Sequence, residues 1–545
     1  MAELAAPRGL RRPMVGLWVA GLLLLLLVVI PLFELFRGAI GAGWVSAGEA
    51  FRGAGTGAVV VNTLWTGVVA TVMALVVGGT AAFITERLRV PARNWLRLGL
   101  LIPLVTPPFV SALSWAQAYG PGGLTADAAG FVLPGLFGGA GVVAVIAVNV
   151  VPLVYLIVAA GLATRVAPDL ERAARAAGST GRETLRLVTL PLLRPALLGA
   201  AALAFVVAVN SFGIPAVLGL PAGFGTMTTR IYQDLVRSAA PAAFARVLVM
   251  AAALVVVTVT VVALADRRFG LARSIVRTAG PVGSESAEGR TAWWPALAVW
   301  AYVAFTAVIP LLALLLSSLT RAVGLSPVPA NWTLGNFGEA LAGRYGSALG
   351  RSVLLAAVAA TLVVLLGGLA ASLARRRGGR SIGTAAILTF AVPGSALAVA
   401  VLLAYGPWLR DTMLIILVAY LAKFWALGHR SIAGSADAIP PDLYRAARSG
   451  GAGPVTALRT VTVPLLRPAI AAAWAIVFLF AFHELTMSTL LYGPGSETLA
   501  VVILNLRQLG DVGVTSAMAV LLTALVLVAF LPVLAVRRLS RGASQ

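Results

Sequence analysis

Long apolar runs alternate with short, arginine-rich polar segments along almost the whole chain. A run of about 18 or more mostly apolar residues is long enough to cross a bilayer as a helix. The pattern therefore predicts an all-α polytopic membrane protein of about twelve transmembrane helices, six in each half. The predicted spans are 14–35, 58–84, 96–118, 139–162, 195–218, 243–264, 293–316, 347–373, 381–403, 412–427, 468–491 and 514–536.

The composition excludes a soluble globular chain. Hydrophobic residues make up 60% and charged residues only 11%, whereas soluble domains carry about 25% charged residues. The net charge of +22 comes from arginine clusters between apolar runs, which indicates membrane topology rather than nucleic-acid binding. The chain contains no cysteine, and neither a metal site nor a cofactor is predicted from its motifs.

The basic clusters fall on one side of the predicted spans. Arginine in short loops is retained on the cytoplasmic side of a membrane. We therefore expect both termini to be cytoplasmic. The clusters lie at 8–12, 87–97, 165–194, 267–290, 375–380, 430–467 and 537–541.

One polar loop occurs twice, 273 residues apart, at 169–196 and 442–469. Each copy has a helix-prone stretch, a glycine that permits a sharp turn and a proline that opens the next span. The Gly-, Ser- and Pro-rich segment between the halves is typical of a linker. The predicted organisation is a first permease half at 1–270, a cytoplasmic linker at 271–292 and a second half at 293–545. Because each half has an even number of spans, the two halves are expected to be parallel.

These loops resemble the hallmark of the permease family of type I ATP-binding-cassette importers: Glu-Ala-Ala, three residues, Gly, nine residues, then aliphatic-x-Leu-Pro. In that family the loop forms a coupling helix that sits in a groove of the ATPase. Arg172 and Arg445 stand where the family has Glu, which reverses the charge, and Glu171 is a neighbouring acid in the first copy only. The resemblance implies an ATPase-coupling role for Glu171, Arg172, Ala173, Ala174, Gly178 and Pro191, and for Tyr444, Arg445, Ala446, Ala447, Gly451 and Pro464.

The resemblance also implies an ATPase dimer on the cytoplasmic face, an extracytoplasmic solute-binding protein and a place in the bacterial cytoplasmic membrane. The binding protein is expected to dock on outer loops such as 119–138 and 326–346. The ATPase has to be a separate polypeptide, because a P-loop requires Gly-x-x-x-x-Gly-Lys-[Ser/Thr]. Lys423 is the only lysine, and Ala422 and Phe424 flank it. The chain is therefore predicted not to be an enzyme.

Polar residues within predicted spans indicate a translocation pathway. Ionisable groups at membrane depth are costly and usually face the bundle interior or a water-filled path. The segment 482–488 carries such a cluster, and 209–215 is its counterpart in the first half. The alternative, that these side chains only bond neighbouring helices, stays open; Lys423, near a predicted span end, is expected to reach the interface. The candidate pathway residues are Asn210, Ser211, His483, Glu484 and Thr486.

The fused double arrangement, the Gly/Pro turns after both polar clusters and the Glu-Leu-Thr at Glu484 resemble most the ferric-iron subgroup of these importers. The resemblance implies import of ferric iron or a chelate by alternating access. Thiamine, phosphonate and polyamine permeases are the alternatives within the family. A twelve-span secondary transporter is a further alternative, but it requires ion-coupling acids in both halves, and Glu484 is the one deep acid in the sequence.

Overall fold

The computed structural model describes residues 19, 21–42, 55–269, 291–322, 324–374 and 380–542. Residues 271–290 of the predicted linker lie outside this part, as do the arginine clusters at 8–12 and 375–379. The described residues are mainly helical, as predicted, because an α-helix satisfies its backbone N–H and C=O groups internally in lipid.

In the first half, helices form over the apolar runs and also over short polar loop segments. They are α1 (Ile30–Gly41), α2 (Thr56–Arg87), α3 (Arg93–Val105), α4 (Pro108–Tyr119), α5 (Leu124–Ala129), α6 (Gly139–Arg165), α7 (Pro168–Ala176), α8 (Gly181–Thr184), α9 (Leu190–Val209), α10 (Met227–Val236) and α11 (Pro241–Phe269).

The second half repeats the order of long and short helices. They are α12 (Trp293–Val303), α13 (Ile309–Leu319), α14 (Gly335–Leu341), α15 (Gly343–Ala374), α16 (Arg380–Ala391), α17 (Gly394–Leu409), α18 (Met413–Asp437), α19 (Pro441–Ser449), α20 (Pro454–Ala457), α21 (Val463–Phe482), α22 (Thr486–Leu491), α23 (Leu499–Leu509) and α24 (Val512–Gly542).

Four of the twelve predicted spans are broken. The helix of the fifth ends at Val209 and that of the eleventh at Phe482, before their predicted ends at 218 and 491. Among the described residues, ten helices are long and apolar enough to cross a membrane, or eleven if the bent pair α3 and α4 is one span. That pair bends by 105° around Thr106 and Pro107, and the ninth predicted span divides into α16 and α17 at Val392 and Pro393. Proline lacks the N–H that would continue a helix, which accounts for the breaks at Pro107 and Pro393. The predicted all-α polytopic fold is confirmed, while the bounds of these four spans differ from the prediction.

One compact unit comprises 1–41, 350–497 and 527–545, as far as these are described. Within it α18 contacts α16, α17 and α21, and α1 lies along α17. The Tyr405 hydroxyl donates a hydrogen bond to the carbonyl oxygen of Leu26. The helix that opens the first half therefore packs among helices of the second half.

The other compact unit comprises 42–349 and 498–526. Here α2, α6 and α9 pack on one another, and α13 lies along α4. The Trp115 indole donates to the Thr306 carbonyl at 3.1 Å, and the Tyr119 ring stacks on Phe305 with centroids 4.7 Å apart. The helices that open the second half thus pack among helices of the first half.

Glycines allow two close helix crossings. At the α2–α6 crossing, a Cβ on Gly78 would lie 3.0 Å from the Val151 carbonyl oxygen. At the α15–α18 crossing, a Cβ on Gly367 would lie 2.6 Å from the Gly428 carbonyl carbon. Small residues let helix backbones approach closely in a membrane, and each unit uses a glycine for this purpose.

Candidate functional site: two loop helices and two polar helix ends

The first loop helix, α7, begins with Pro168 and has two acids in its first turn. Both features suit a helix N-terminus, where the proline N–H is not needed and negative charge is favourable. The helix ends at Gly178, whose φ of +93° is left-handed. The Ser179 N–H then donates to the Ala174 carbonyl at 3.0 Å, which satisfies a carbonyl that the helix itself leaves free.

The second loop helix, α19, has the same construction. It begins with Pro441 and ends at Gly451, with a φ of +82°. The Ala452 N–H donates to the Ala447 carbonyl at 3.0 Å. A short helix, a π-helical turn and a long helix follow each loop helix at positions shifted by 273 residues, so the two sequence copies have one local structure.

Glu171 anchors the first loop helix to three spanning helices. Its side chain is 8% exposed and lies 3.0 Å from Nε of Arg87, at the end of α2. The Thr189 hydroxyl, beside the start of α9, donates to Glu171 Oε1 at 2.6 Å. Arg87 also donates to the carbonyl oxygens of Leu162 and Val166 at 3.1 and 2.7 Å. Glu171 is therefore committed to this internal network.

The arginines that replace the family Glu lie on the surface. Arg172 pairs with the exposed Asp169 at 3.3 Å, and Arg445 pairs with the exposed Asp442 at 3.0 Å. The reversed charge is thus presented outward in both copies.

The two loop helices expose the same kinds of side chain. Leu170 is 48% exposed and Leu443, at the equivalent position, is 45% exposed. Ala173 and Ala446 are exposed, while Ala174 and Ala447 are half-buried. A single exposed leucine is ordinary on a protein surface, but its recurrence at the equivalent position gives the two loop helices matching outer faces.

The polar end of α9 contains side-chain atoms without a protein partner. Asn210 caps the C-terminus of α9. Its Oδ1 and the Ser211 hydroxyl are inaccessible and accept or donate no hydrogen bond within the described residues. The Thr228 hydroxyl of α10 donates to the Ser211 carbonyl at 2.8 Å. The backbone at Ser211 is therefore bonded to α10, whereas the side-chain oxygens of Asn210 and Ser211 are not bonded within the described residues.

The polar end of α21 is bonded more completely. His483 caps the C-terminus of α21, and its Nδ1 is inaccessible with no partner in the part of the chain described. Glu484 Oε2 accepts the N–H groups of Met487 and Ser488 at 2.8 and 3.1 Å. Tyr420 of α18 shares a 2.7 Å hydrogen bond with the Ser488 hydroxyl. Glu484 therefore caps α22.

Lys423 does not lie at a helix end as the sequence suggested. It lies near the middle of α18 and donates to the carbonyl oxygens of Phe390 at 3.2 Å and of Val392. These carbonyls lie at the break between α16 and α17, where the helix does not continue, and a buried carbonyl needs a donor from elsewhere. The expectation that Lys423 reaches the interface is wrong for this reason.

Sequence reasoning missed Arg87, Thr189, Tyr420 and Ser488. Arg87 was assigned only to membrane topology. A signal for Thr189 existed, because a threonine occupies the equivalent position, 462, in the second copy. Ser488 lies in the polar segment 482–488 already singled out but was not chosen as a candidate, and no pattern marked Tyr420.

The structure brings His483, Glu484 and Thr486 together at one helix end, and Asn210 and Ser211 at another. The two ends belong to different compact units, so the expectation that they face one another stays a prediction. Among the described residues, there is no group of three or more His, Cys, Asp or Glu side chains that could hold a metal ion.

Comparison with known proteins identifies the class. Residues 74–271 and 363–544 each match the family of binding-protein-dependent transport system inner membrane components. The chain belongs to this family, and the predicted family is confirmed. It is thus a multi-pass permease subunit of an ATP-binding-cassette importer, with two family domains fused in one polypeptide.

Three relatives show the range of transport systems that the chain resembles. The putative 2-aminoethylphosphonate transport system permease PhnV of Salmonella typhimurium is 31% identical over 226 residues, 40% of this chain and 84% of the relative. The probable ABC transporter permease y4fN of Sinorhizobium fredii is 24% identical over 503 residues, 88% and 87% of the two chains. The Fe(3+)-transport system permease FbpB 2 of Haemophilus influenzae is 24% identical over 449 residues, 81% and 82%.

Proposed function

We propose that this permease moves a small solute from an external binding protein into the cytoplasm by alternating access, driven by a separate ATPase dimer that binds α7 and α19. The observation that carries the proposal is the repeated surface of the two loop helices. Each presents an exposed leucine, an outward arginine and an exposed alanine at the same positions. A two-fold partner suits a surface that occurs twice in one chain.

The buried network of Glu171 supports a coupling role for α7. When ATP closes the ATPase dimer, α7 and α19 are drawn together. A displacement of α7 then acts on α2 and α9, because Arg87 and Thr189 hold Glu171 at 3.0 and 2.6 Å. Both termini are placed on the cytoplasmic side in this proposal.

The polar helix ends support a translocation role for Asn210, Ser211 and His483. Each has a side-chain atom that is inaccessible and unbonded within the described residues. An unsatisfied buried polar atom costs about 1–3 kcal/mol, and such groups persist where function needs them. Glu484 differs, because its hydrogen bonds to the N-terminus of α22 give it a structural role even if it also borders the path.

Ferric iron or a ferric chelate is the first candidate solute. The ferric permease relative aligns over 81% of this chain, which includes both halves. A phosphonate is the second candidate, because the 2-aminoethylphosphonate permease has the higher identity, 31%, over 40% of this chain. Polyamine transport is a third, since the putrescine permease PotI of Escherichia coli is 27% identical over 225 residues; thiamine also remains within the proposed range.

Leucine-to-aspartate substitutions on the loop helices test the coupling surface. We expect the double variant Leu170→Asp/Leu443→Asp to lose most co-purification with the ATPase of its transport system, because a carboxylate would be buried at an apolar contact. Both leucines are about half exposed, so the fold tolerates the change. Affinity pull-down from membranes measures the complex.

The matched control is Leu509→Asp, at a leucine that is 76% exposed on the predicted outer side. It should co-purify with the ATPase like the unmodified chain. A double variant that retains the ATPase in full would refute the proposed surface. Solute accumulation by the isolated chain without an ATPase would favour the secondary-transporter alternative instead.

A further inference from the structure

A cavity of about 320 Å³ lies away from both loop helices and both polar helix ends. It is bounded by the C-terminal ends of α4 and α13, the loops that follow them and the junction between α23 and α24. All of these segments belong to one compact unit. The volume is at the lower end of the range for small-molecule sites, about 300–1,000 Å³.

The walls of the cavity combine apolar surface with a few polar groups. Leu124, Leu316 and Val512 contribute apolar side chains. Gln117 and Ser317 also line it, and the Ser317 hydroxyl donates to Gln117 Oε1 at 3.3 Å. This combination is typical of a ligand site, in which apolar walls supply affinity and a few polar groups fix orientation.

Two opposite charges line the same cavity without forming an ion pair. Arg507, on the last turn of α23, is partly buried, and Asp127, on α5, is exposed. Neither side chain has a hydrogen bond or an ion pair with any other residue in the described ranges. Burial lowers the pKa of Arg507 from its ordinary value, yet a guanidinium stays charged at physiological pH.

We propose that this cavity binds a small zwitterion, whose oxyanion pairs with Arg507 and whose cationic group faces Asp127. A partly buried guanidinium with no protein acceptor is suited to a carboxylate or phosphonate, which it binds through charge-assisted hydrogen bonds. A simple anion would gain nothing from Asp127, and a simple cation would leave the partly buried Arg507 without an acceptor. The site is separate from the translocation candidates, and its occupancy does not depend on which solute crosses the membrane.

Calorimetric titration of the purified full chain in detergent tests the proposal. The probes are two zwitterions, β-alanine and 2-aminoethylphosphonate, each with an anion of matched length, propanoate and ethylphosphonate. We expect at least one zwitterion to bind about tenfold or more tightly than its matched anion. Equal affinities within both pairs, or no measurable binding of either zwitterion, would overturn the proposal.

Two substitutions assign the roles of the charges. Arg507→Gln should weaken zwitterion binding by about tenfold or more, as expected for loss of a charge-assisted hydrogen bond. Asp127→Asn should remove the preference for the zwitterion over the matched anion while leaving anion binding intact. Because Asp127 is exposed, that variant provides a result even if Arg507→Gln fails to fold.

Arg410→Gln is the control, since Arg410 has a side chain that is 75% exposed and does not line the cavity. It should bind both zwitterions like the unmodified chain. Unchanged zwitterion affinity in Arg507→Gln, or an equal loss in Arg410→Gln, would contradict the assigned site. Pull-down of the ATPase by the Arg507→Gln variant should be normal, which separates this result from a failure of the proposed function.

Discussion

At the scale of single residues, Glu171 connects the loop surface to the spanning helices. Glu171→Gln keeps the size of the side chain but leaves the Arg87 guanidinium, 14% exposed, without its counter-charge. Loss of such a partner costs about 1–3 kcal/mol. We expect faster amide hydrogen exchange over 168–178 and weaker coupling of ATP hydrolysis to transport, measured by exchange mass spectrometry and by reconstituted uptake.

Two further variants make this result specific. Arg87→Gln/Glu171→Gln should recover part of the protection, because no uncompensated charge remains. Asp169→Asn should exchange like the unmodified chain, since the Asp169 side chain is 85% exposed and exposed pairs contribute about 0–1 kcal/mol. If Glu171→Gln also leaves exchange unchanged, the anchoring role is incorrect.

The sequence located the residues of the site better than it located their partners. Glu171, Asn210 and His483 were found because charge and polarity are conspicuous in an apolar chain. Arg87 was assigned to topology alone, because its contact with Glu171 joins residues far apart in sequence and depends on how α2 packs beside α6. Pairings of this kind follow from tertiary geometry, which spacing in a single sequence does not determine.

At the scale of helices, the sequence also did not determine where helices break or which helices cross, because both depend on tertiary packing. Hydropathy located the apolar runs well, since the length of a span follows from bilayer thickness. It did not locate the breaks near Pro107 and Pro393, because prolines are tolerated in spans elsewhere, as at Pro152 in α6. Whether a proline breaks a helix depends on which neighbours satisfy the freed carbonyls, as Lys423 does beside Pro393.

Paired glycines give a matched test of the helix crossings. Gly78 and Gly367 lie at crossings, while Gly79 has no atom within 4 Å of an added Cβ and Gly368 has its nearest at 3.9 Å. Alanine normally favours a helix over glycine by about 0.5–1 kcal/mol. We therefore expect Gly79→Ala and Gly368→Ala to be neutral or slightly stabilising.

Alanine in place of the glycines at the crossings should instead destabilise the protein. Gly367→Ala should lower thermal stability most, because the obstacle at 2.6 Å is backbone of α18 that cannot rotate away. Gly78→Ala, with its nearest atom at 3.0 Å, should lower it less, and overpacking typically costs about 1–3 kcal/mol. Size-exclusion thermal-shift measurements in detergent would show this order, and equal effects of all four variants would contradict the role of the crossings.

At the scale of the whole molecule, the compact units do not follow the halves of the chain. The predicted halves, 1–270 and 293–545, describe the sequence repeat, and the boundary between them stays a prediction. The units built by contacts take segments from both: α1 packs on α17, and α13 packs on α4. Hydropathy gives the order of helices but carries no information on which helices are neighbours. The packing of α1 and α13 among helices of the other half was therefore not predicted.

The packing of each half's first helix among helices of the other half has a measurable consequence when the chain is cut in two. A fragment of residues 1–280 has no α17 for α1 to contact, and it lacks the Thr306 carbonyl that Trp115 binds at 3.1 Å. A fragment of residues 281–545 lacks α4, on which α13 packs. We therefore expect either fragment alone to be degraded in the membrane, because each leaves apolar helix faces and buried polar groups without partners.

Co-expression of the two fragments should restore both, since every contact within the two compact units can form again and the cut falls in the predicted linker. Immunoblotting of membrane fractions measures the level of each fragment, and co-purification through a tag on one of them measures their association. Full accumulation of a single fragment in monodisperse form would mean that each half folds alone. That result would contradict the interleaved packing of α1 and α13, whereas recovery only on co-expression follows directly from it.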